Sequence, residues 1–158
     1  MAVITNYSGR AVDLFIFYGA QPVGDQLIRP GFGEEGSGNQ TTGIQKLMQK
    51  WAILFLTETG SMEYHPDLGT RFLTVASQGG LRDLETVRSE FRLAARRVEA
   101  ALAAVESDDM PADERLQGAV LASANLDRAQ GLLQMTVNIT SEAGADRDII
   151  LPVPVPIQ

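Results

Sequence analysis

Glu58, Glu63, His65 and Asp67 fall within ten consecutive residues, and carboxylates beside an imidazole are the groups that general acid–base chemistry uses. Cleaving a glycosidic bond would need two of those carboxylates facing one cleft, about 5–10 Å apart depending on mechanism. Their surroundings argue against that role. The stretch is a polar turn bounded by Gly60 and Gly69, where acids are ordinarily solvated, and no serine is identifiable as a nucleophile for the lone histidine. The chain has no cysteine, which excludes disulfides and thiolate metal sites, and one histidine does not make a His-rich metal centre. A phosphate-binding loop is suggested by Gly31-Phe32-Gly33-Glu34-Glu35-Gly36-Ser37-Gly38. The lysine and hydroxyl residue of that motif are missing, and two glutamates would repel phosphate. The expectation is a protein without catalytic residues, cofactor or metal.

Two further groups of charged residues invite contact with a partner rather than catalysis. Arg88, Arg92 and Arg96 recur every fourth residue, so a helix would align them along one face. They form either a solvated stripe, Arg92 and Arg96 pairing locally with Glu85, Glu90 and Glu99, or a docking face for an acidic neighbour. The second group is Asp113, Glu114 and Arg115, where an arginine can bind a carboxylate in two-pronged fashion.

The elements that must position these residues follow from periodicity. Ile44, Leu47, Met48, Trp51, Leu54 and Phe55 lie on one face of a helix from about Gln45 to Thr57. Thr41 or Thr42 is its expected N-cap through a side-chain hydroxyl, and Gly60 its expected C-terminal stop. Pro66 keeps His65 out of helical geometry, so the connection should be extended. A short helix is expected over Thr70 to Ser77, closed by Gly79-Gly80. A long one should run from about Leu81 to Glu106, burying Leu84, Val87, Phe91, Ala94, Ala95, Val98, Leu102 and Val105. Asp83 and Glu85 suit its positive N-terminal end.

Beyond Pro111 the pattern changes to period two. Leu116, Val120, Ala122, Ala124 and Leu126 are expected on one side of a first strand. Leu133, Met135, Val137 and Ile139 alternate with polar residues in a second, and Asp148 to Val153 makes a third. Tight turns at 127–131 and 141–146 make an antiparallel meander the economical topology. At the N-terminal end, Val12 to Tyr18 is apolar and short enough for a buried strand. Residues 19–43 hold seven glycines and two prolines and are expected to be loop. The whole is read as one α+β domain over residues 1–158: an N-terminal strand, two to three helices, then a three-stranded meander packed against them. Its Pro-rich tail, 153–158, carries Pro154 and Pro156, which with Pro152 would remove the N–H donors from one strand edge only. Residues beyond Val153 are expected to reach a neighbouring chain, and deleting Val153 to Gln158 to leave folding intact.

Composition narrows the partners. A formal net charge of −7 disfavours nonspecific contact with nucleic acid or an anionic membrane. No apolar run approaches the ~20 residues that span a bilayer. The start of the chain lacks a secretory signal pattern. Synthesis and use in a cytoplasm, or in something assembled there, is expected.

Leu56, Thr57, Gly60, Pro66, Asp67, Gly69 and Phe72 together form a helix end, an LT dipeptide, a glycine turn and a P-D-x-G segment leading into the next helix. In this the chain resembles the small baseplate wedge protein of contractile-tailed phages and related injection systems, and the order of elements is similar from Ile44 to Val153. That family carries a Glu-Pro-Arg motif between its long helix and the meander. The corresponding place here reads Ala112-Asp113-Glu114-Arg115, with the proline displaced upstream to Pro111. The resemblance implies a structural virion component: six copies around the tube, joined to larger wedge subunits, the tail sheath and central hub or tube proteins, assembled in the host cytoplasm. It also implies that Glu114 and Arg115 act at a subunit contact. The glycan-hydrolase label once attached to the family keeps a lysozyme-like baseplate enzyme as the alternative. His65-Pro66-Asp67 is similar to the tripeptide of J-domain co-chaperones, but its flanks here are apolar or acidic rather than basic.

Overall fold

The structure is a computed structural model that describes residues 13–14 and 40–157. Three helices cover one face of a three-stranded antiparallel sheet, an α+β arrangement. The helices are α1 (Gly43–Leu56), α2 (Phe72–Ser77) and α3 (Leu84–Ala103). A two-residue ladder, β1 (Asp13–Leu14) against β2 (Gln40–Thr41), precedes them. It forms a sheet of its own, apart from the meander. Only Asp13 and Leu14 of the strand expected at Val12 to Tyr18 are among the described residues. Most of the loop expected at 19–43, with the glycine-rich Gly31 to Gly38, lies outside them. Two of its last residues are β2, and Gly43 opens α1.

Helix α1 is the centre of the core because its apolar residues recur at helical spacing. Leu47, Trp51 and Phe55 have no exposed surface and Met48 almost none. Trp51 stacks on Phe55 with ring centroids 4.8 Å apart, and Phe55 meets Phe72 at 4.9 Å and Phe91 at 5.5 Å. Four rings from three helices thus form one cluster, and such pairs add to the area they bury. Over the sheet, α1 lies on β4 and β5, α2 on β5 and α3 on β3.

The ends of the helices differ from expectation. Thr42 is the N-cap of α1, yet its hydroxyl accepts no helical N–H and is buried without a partner. The helix stops at Leu56 rather than at Gly60, because Thr57 turns extended. Its Oγ1 and N–H both donate to Ile53 O, at 2.7 and 2.8 Å. Helix α3 is shorter than expected at both ends. Leu84 and Val105 are 42% and 70% exposed and leave the buried face, whose members are Val87, Phe91, Ala94, Ala95, Val98 and Leu102.

Asp83 is the α3 N-cap, its carboxylate accepting from Thr86 N (2.7 Å) and Thr86 Oγ1 (2.9 Å). Those hydrogen bonds hold the Asp83 carboxyl below its ordinary 3.8. A carboxyl depressed on folding contributes stability that is complete above its unfolded value and lost as pH falls through the folded one. Asp83→Ala should therefore lower Tm at neutral pH, and the gap to the parent should close as the pH drops below about 4. A gap that persists unchanged in acid would mean the cap is not electrostatic in origin.

The meander consists of β3 (Leu116–Asp127), β4 (Leu132–Ser141) and β5 (Asp146–Pro154), in spatial order β3-β4-β5. In β4 the alternation holds throughout: Leu133, Met135, Val137 and Ile139 are fully buried. In β3 it does not. Register shifts at Leu116/Gly118 and Leu121/Ser123 insert an extra residue twice, and each bulge reverses which residues face the core. The inward residues are Leu116, Ala119, Leu121, Ala124 and Leu126, while Val120 and Ala122 are exposed.

Strand β5 runs on as far as Pro154, paired with Leu132, and Val155 N donates to Gly131 O at 2.9 Å. Since alternate residues share an edge, Leu151, Val153 and Val155 face β4, and Pro152, Pro154 and Pro156 face outward. The tail therefore stays on its own domain as far as Val155. Val153 is fully buried, so deletion from Val153 should cost stability rather than spare it. Truncation before Pro156 should leave Tm within about 2 °C, whereas truncation before Val153 should cost at least about 2 kcal/mol of buried surface and lost pairing. Equal melting of the two truncated chains would contradict this placement.

Candidate functional site

The residues carrying the wedge resemblance form one strapped unit between α1 and α2. Thr70 N donates to Thr57 O (2.7 Å), Thr59 N to Thr70 O (2.9 Å) and Gly60 N to Pro66 O (2.9 Å). Thr70 Oγ1 donates to Phe55 O at 2.7 Å and accepts from Phe72 N at 3.2 Å. This buried hydroxyl closes one helix and opens the next. Gly69 (φ +90°) passes so close to Thr57 that a Cβ there would sit 2.4 Å from Thr57 O. Gly60 (φ +86°) has open space around it. The projecting loop is tied down by Arg97 of α3, whose guanidinium donates to Asp67 O at 3.1 Å.

The same unit carries the acids first singled out. Glu58 accepts a hydrogen bond from Thr74 Oγ1, while Glu63, His65 and Asp67 are exposed. Asp67 contributes its backbone carbonyl; it does not cap α2, whose N-cap is Arg71. Among the described residues no group of three or more His, Asp or Glu could hold a metal ion. Nor is any helix among the described residues long and apolar enough to cross a membrane.

The acid–arginine segment is the second built site. Ala112–Glu114 makes a single 3-10 turn that delivers the chain from α3 to β3. Glu114 is 3% exposed, and its carboxylate points back at α1. Oε1 accepts from Gly43 N (3.2 Å) and Oε2 from Lys46 Nζ (2.7 Å). The cap expected from a threonine is thus supplied 71 residues away in sequence, by an anion placed where the helix dipole favours one. Lys46 stands in the first turn, where a cation is disfavoured, and is itself 6% exposed; the carboxylate compensates both groups.

Arg115 turns the other way. Its Nη1 lies 3.5 Å from Asp108 Oδ1, and its Nε lies 3.0 Å from Glu142 Oε2 without the alignment of a hydrogen bond. The surrounding backbone is fixed: Leu116 N donates to Glu106 Oε1 (2.8 Å), Glu142 N to Arg115 O (3.0 Å) and Ala143 N to Ala112 O (3.1 Å). The motif is a junction of the α1 start, the α3 end and the β4–β5 turn. Of the three residues of this segment expected at a partner contact, Glu114 is buried inside the domain, Asp113 is half-buried, and Arg115 is 23% exposed with donors to spare.

Arg88, Arg92 and Arg96 are all exposed along α3. Arg88 pairs with Glu85 at 2.6 Å. The local pairs expected for Arg92 and Arg96 are not found among the described residues. Sequence reasoning missed Lys46. Its signal was a cation in the first turn of an apolar helix, against the dipole. No protein-family model, curated protein or solved structure matches this chain in comparisons with known proteins.

Proposed function

We propose that this protein is a structural subunit of the baseplate wedge of a contractile tail. It would be present in six copies around the tube, linking larger wedge chains and offering its sheet to the first ring of tail sheath. The observation that carries the reading is the unit from Leu56 to Phe72, where the residues that resemble the wedge family each have a structural task. Thr57 supplies the carbonyl that Gly69 alone can approach, Gly60 bonds to Pro66, and Phe72 enters the aromatic cluster. Two features suit a connecting part. The C-terminal part of the outer edge of β5 lacks donors at Pro152 and Pro154, so a further strand is discouraged from pairing there. Arg115 stands at the surface of a rigid junction, placed to bind a carboxylate of a neighbour.

Charge reversal of Arg115 is a poor test, because it would set a third carboxylate beside Asp108 and Glu142. Arg115→Gln is cleaner. As a local pair at a part-exposed site Arg115 is worth at most about 1 kcal/mol, so Tm should fall by no more than about 4 °C. Incorporation into co-expressed wedge complexes, measured by pull-down, should fall sharply. Normal incorporation of Arg115→Gln would remove Arg115 from the interface.

A further inference from the structure

Five of the chain's thirteen basic residues lie between Arg82 and Arg97, in a protein whose formal net charge is −7. Beside them a groove of about 310 Å³ separates α3 from the edge strand β3, lined by Arg88, Phe91, Arg92, Ala119, Val120 and Leu121. Phe91, Ala119, Val120 and Leu121 are the apolar part of its lining, its helical rim is cationic, and Val120 is 65% exposed. The β3 bulges create this surface. They set Ala119 and Leu121 toward the core and bring Val120 out, where unbroken alternation from Leu116 would have buried it.

We propose that this groove binds an acidic helical segment of another protein, one that places an aliphatic side chain between two carboxylates. Arg88 and Arg92 are one turn apart, about 6 Å along the axis. Carboxylates at positions i and i+4 of a partner helix repeat at the same distance, with a leucine at i+3 on the same face. The aliphatic group fills the groove over Phe91, and the acids meet the two guanidiniums. Among the described residues the ion pair at this rim is that of Arg88 with Glu85, which is 83% exposed, and such a surface pair is easily displaced. Arg92 makes no ion pair among the described residues, and Arg96 continues the rim by one more turn. The proposal is independent of the wedge reading, since binding is read on the isolated domain.

The test uses a capped 14-residue peptide on an alanine background, with glutamates at i and i+4 and leucine at i+3, titrated into the nitrogen-15-labelled full chain. Amide shifts should concentrate at 88–96 and 118–122 and saturate. Binding should weaken at least about ten-fold on going to roughly 0.5 M salt, since exposed charges are screened. The Arg88→Ala/Arg92→Ala double variant, with both substitutions at exposed positions, should lose about ten-fold in affinity while keeping its Tm. Replacing the peptide's glutamates by glutamine, or its leucine by serine, should abolish saturation. Absence of shifts at these amides would overturn the proposal. So would equal binding of the glutamine peptide, or the same shifts arising from protein concentration alone, which would assign the groove to a second copy of this chain.

Discussion

Glu114→Ala should cost about 3–5 kcal/mol, the scale of breaking a buried ion pair by removing one of its members. For a chain of this size that corresponds to a fall in Tm of roughly 6–20 °C. The loss has two sources. Lys46, 6% exposed, keeps its charge without its 2.7 Å partner, and Gly43 loses the acceptor that caps α1. Glu114→Gln separates them: the amide oxygen can still accept from Gly43 N, but it cannot balance Lys46. Its cost should lie between those of the parent and alanine. Replacing both residues by methionine should be far milder than either truncation, since a well-packed apolar pair often equals a buried ionic one. Urea unfolding of the two single variants and the double closes the cycle. Additive losses would show that Lys46 and Glu114 do not act on each other.

Gly69→Ala carries the second large effect. Its φ of +90° alone strains any L side chain, and the new Cβ would stand 2.4 Å from Thr57 O and 2.9 Å from Thr57 C. Both atoms are backbone, and Thr57 O already accepts from Thr70 N at 2.7 Å, so they cannot give way without breaking the strap. Strain of about 1–3 kcal/mol at a positive-φ site adds to the lost hydrogen bonding, and a total above about 3 kcal/mol is expected. Gly60→Ala is the control. It has a similar φ of +86° with nothing within 4 Å, so it should cost only about 1 kcal/mol. Equal unfolding midpoints for the two variants would place the strain in φ alone and deny the close approach.

The contrast between these residues shows what the sequence could reveal. Period 3.6 in α1 and period two in β4 identified Leu47, Trp51, Phe55, Leu133, Met135, Val137 and Ile139 as core, and every one is fully buried. Alternation failed in β3, because a bulge adds one residue and leaves no mark on composition. Two bulges moved Val120 and Ala122 from the inside to the outside. Helix ends were read from local capping rules, and they were wrong wherever the cap came from afar. Thr42 is the local candidate for α1, but Glu114, 71 residues further along the sequence, accepts from Gly43 N instead. For the same reason the local sequence points to Glu114 as an interface residue. An acid next to an arginine reads as a contact motif, and only the tertiary fold turns one inward to Lys46 and leaves the other at the surface. Pro152, Pro154 and Pro156 were legible because proline acts through its own missing donor, whatever the surroundings.

The wedge proposal meets its most direct test in electron microscopy of contractile particles carrying this chain with a C-terminal affinity tag and a gold label. A tag there is tolerable because Pro156 and Ile157 are exposed. The expected result is six labels around the tube at the baseplate end of the tail, next to the first sheath ring. Particles without label, or label elsewhere than the baseplate, would contradict it.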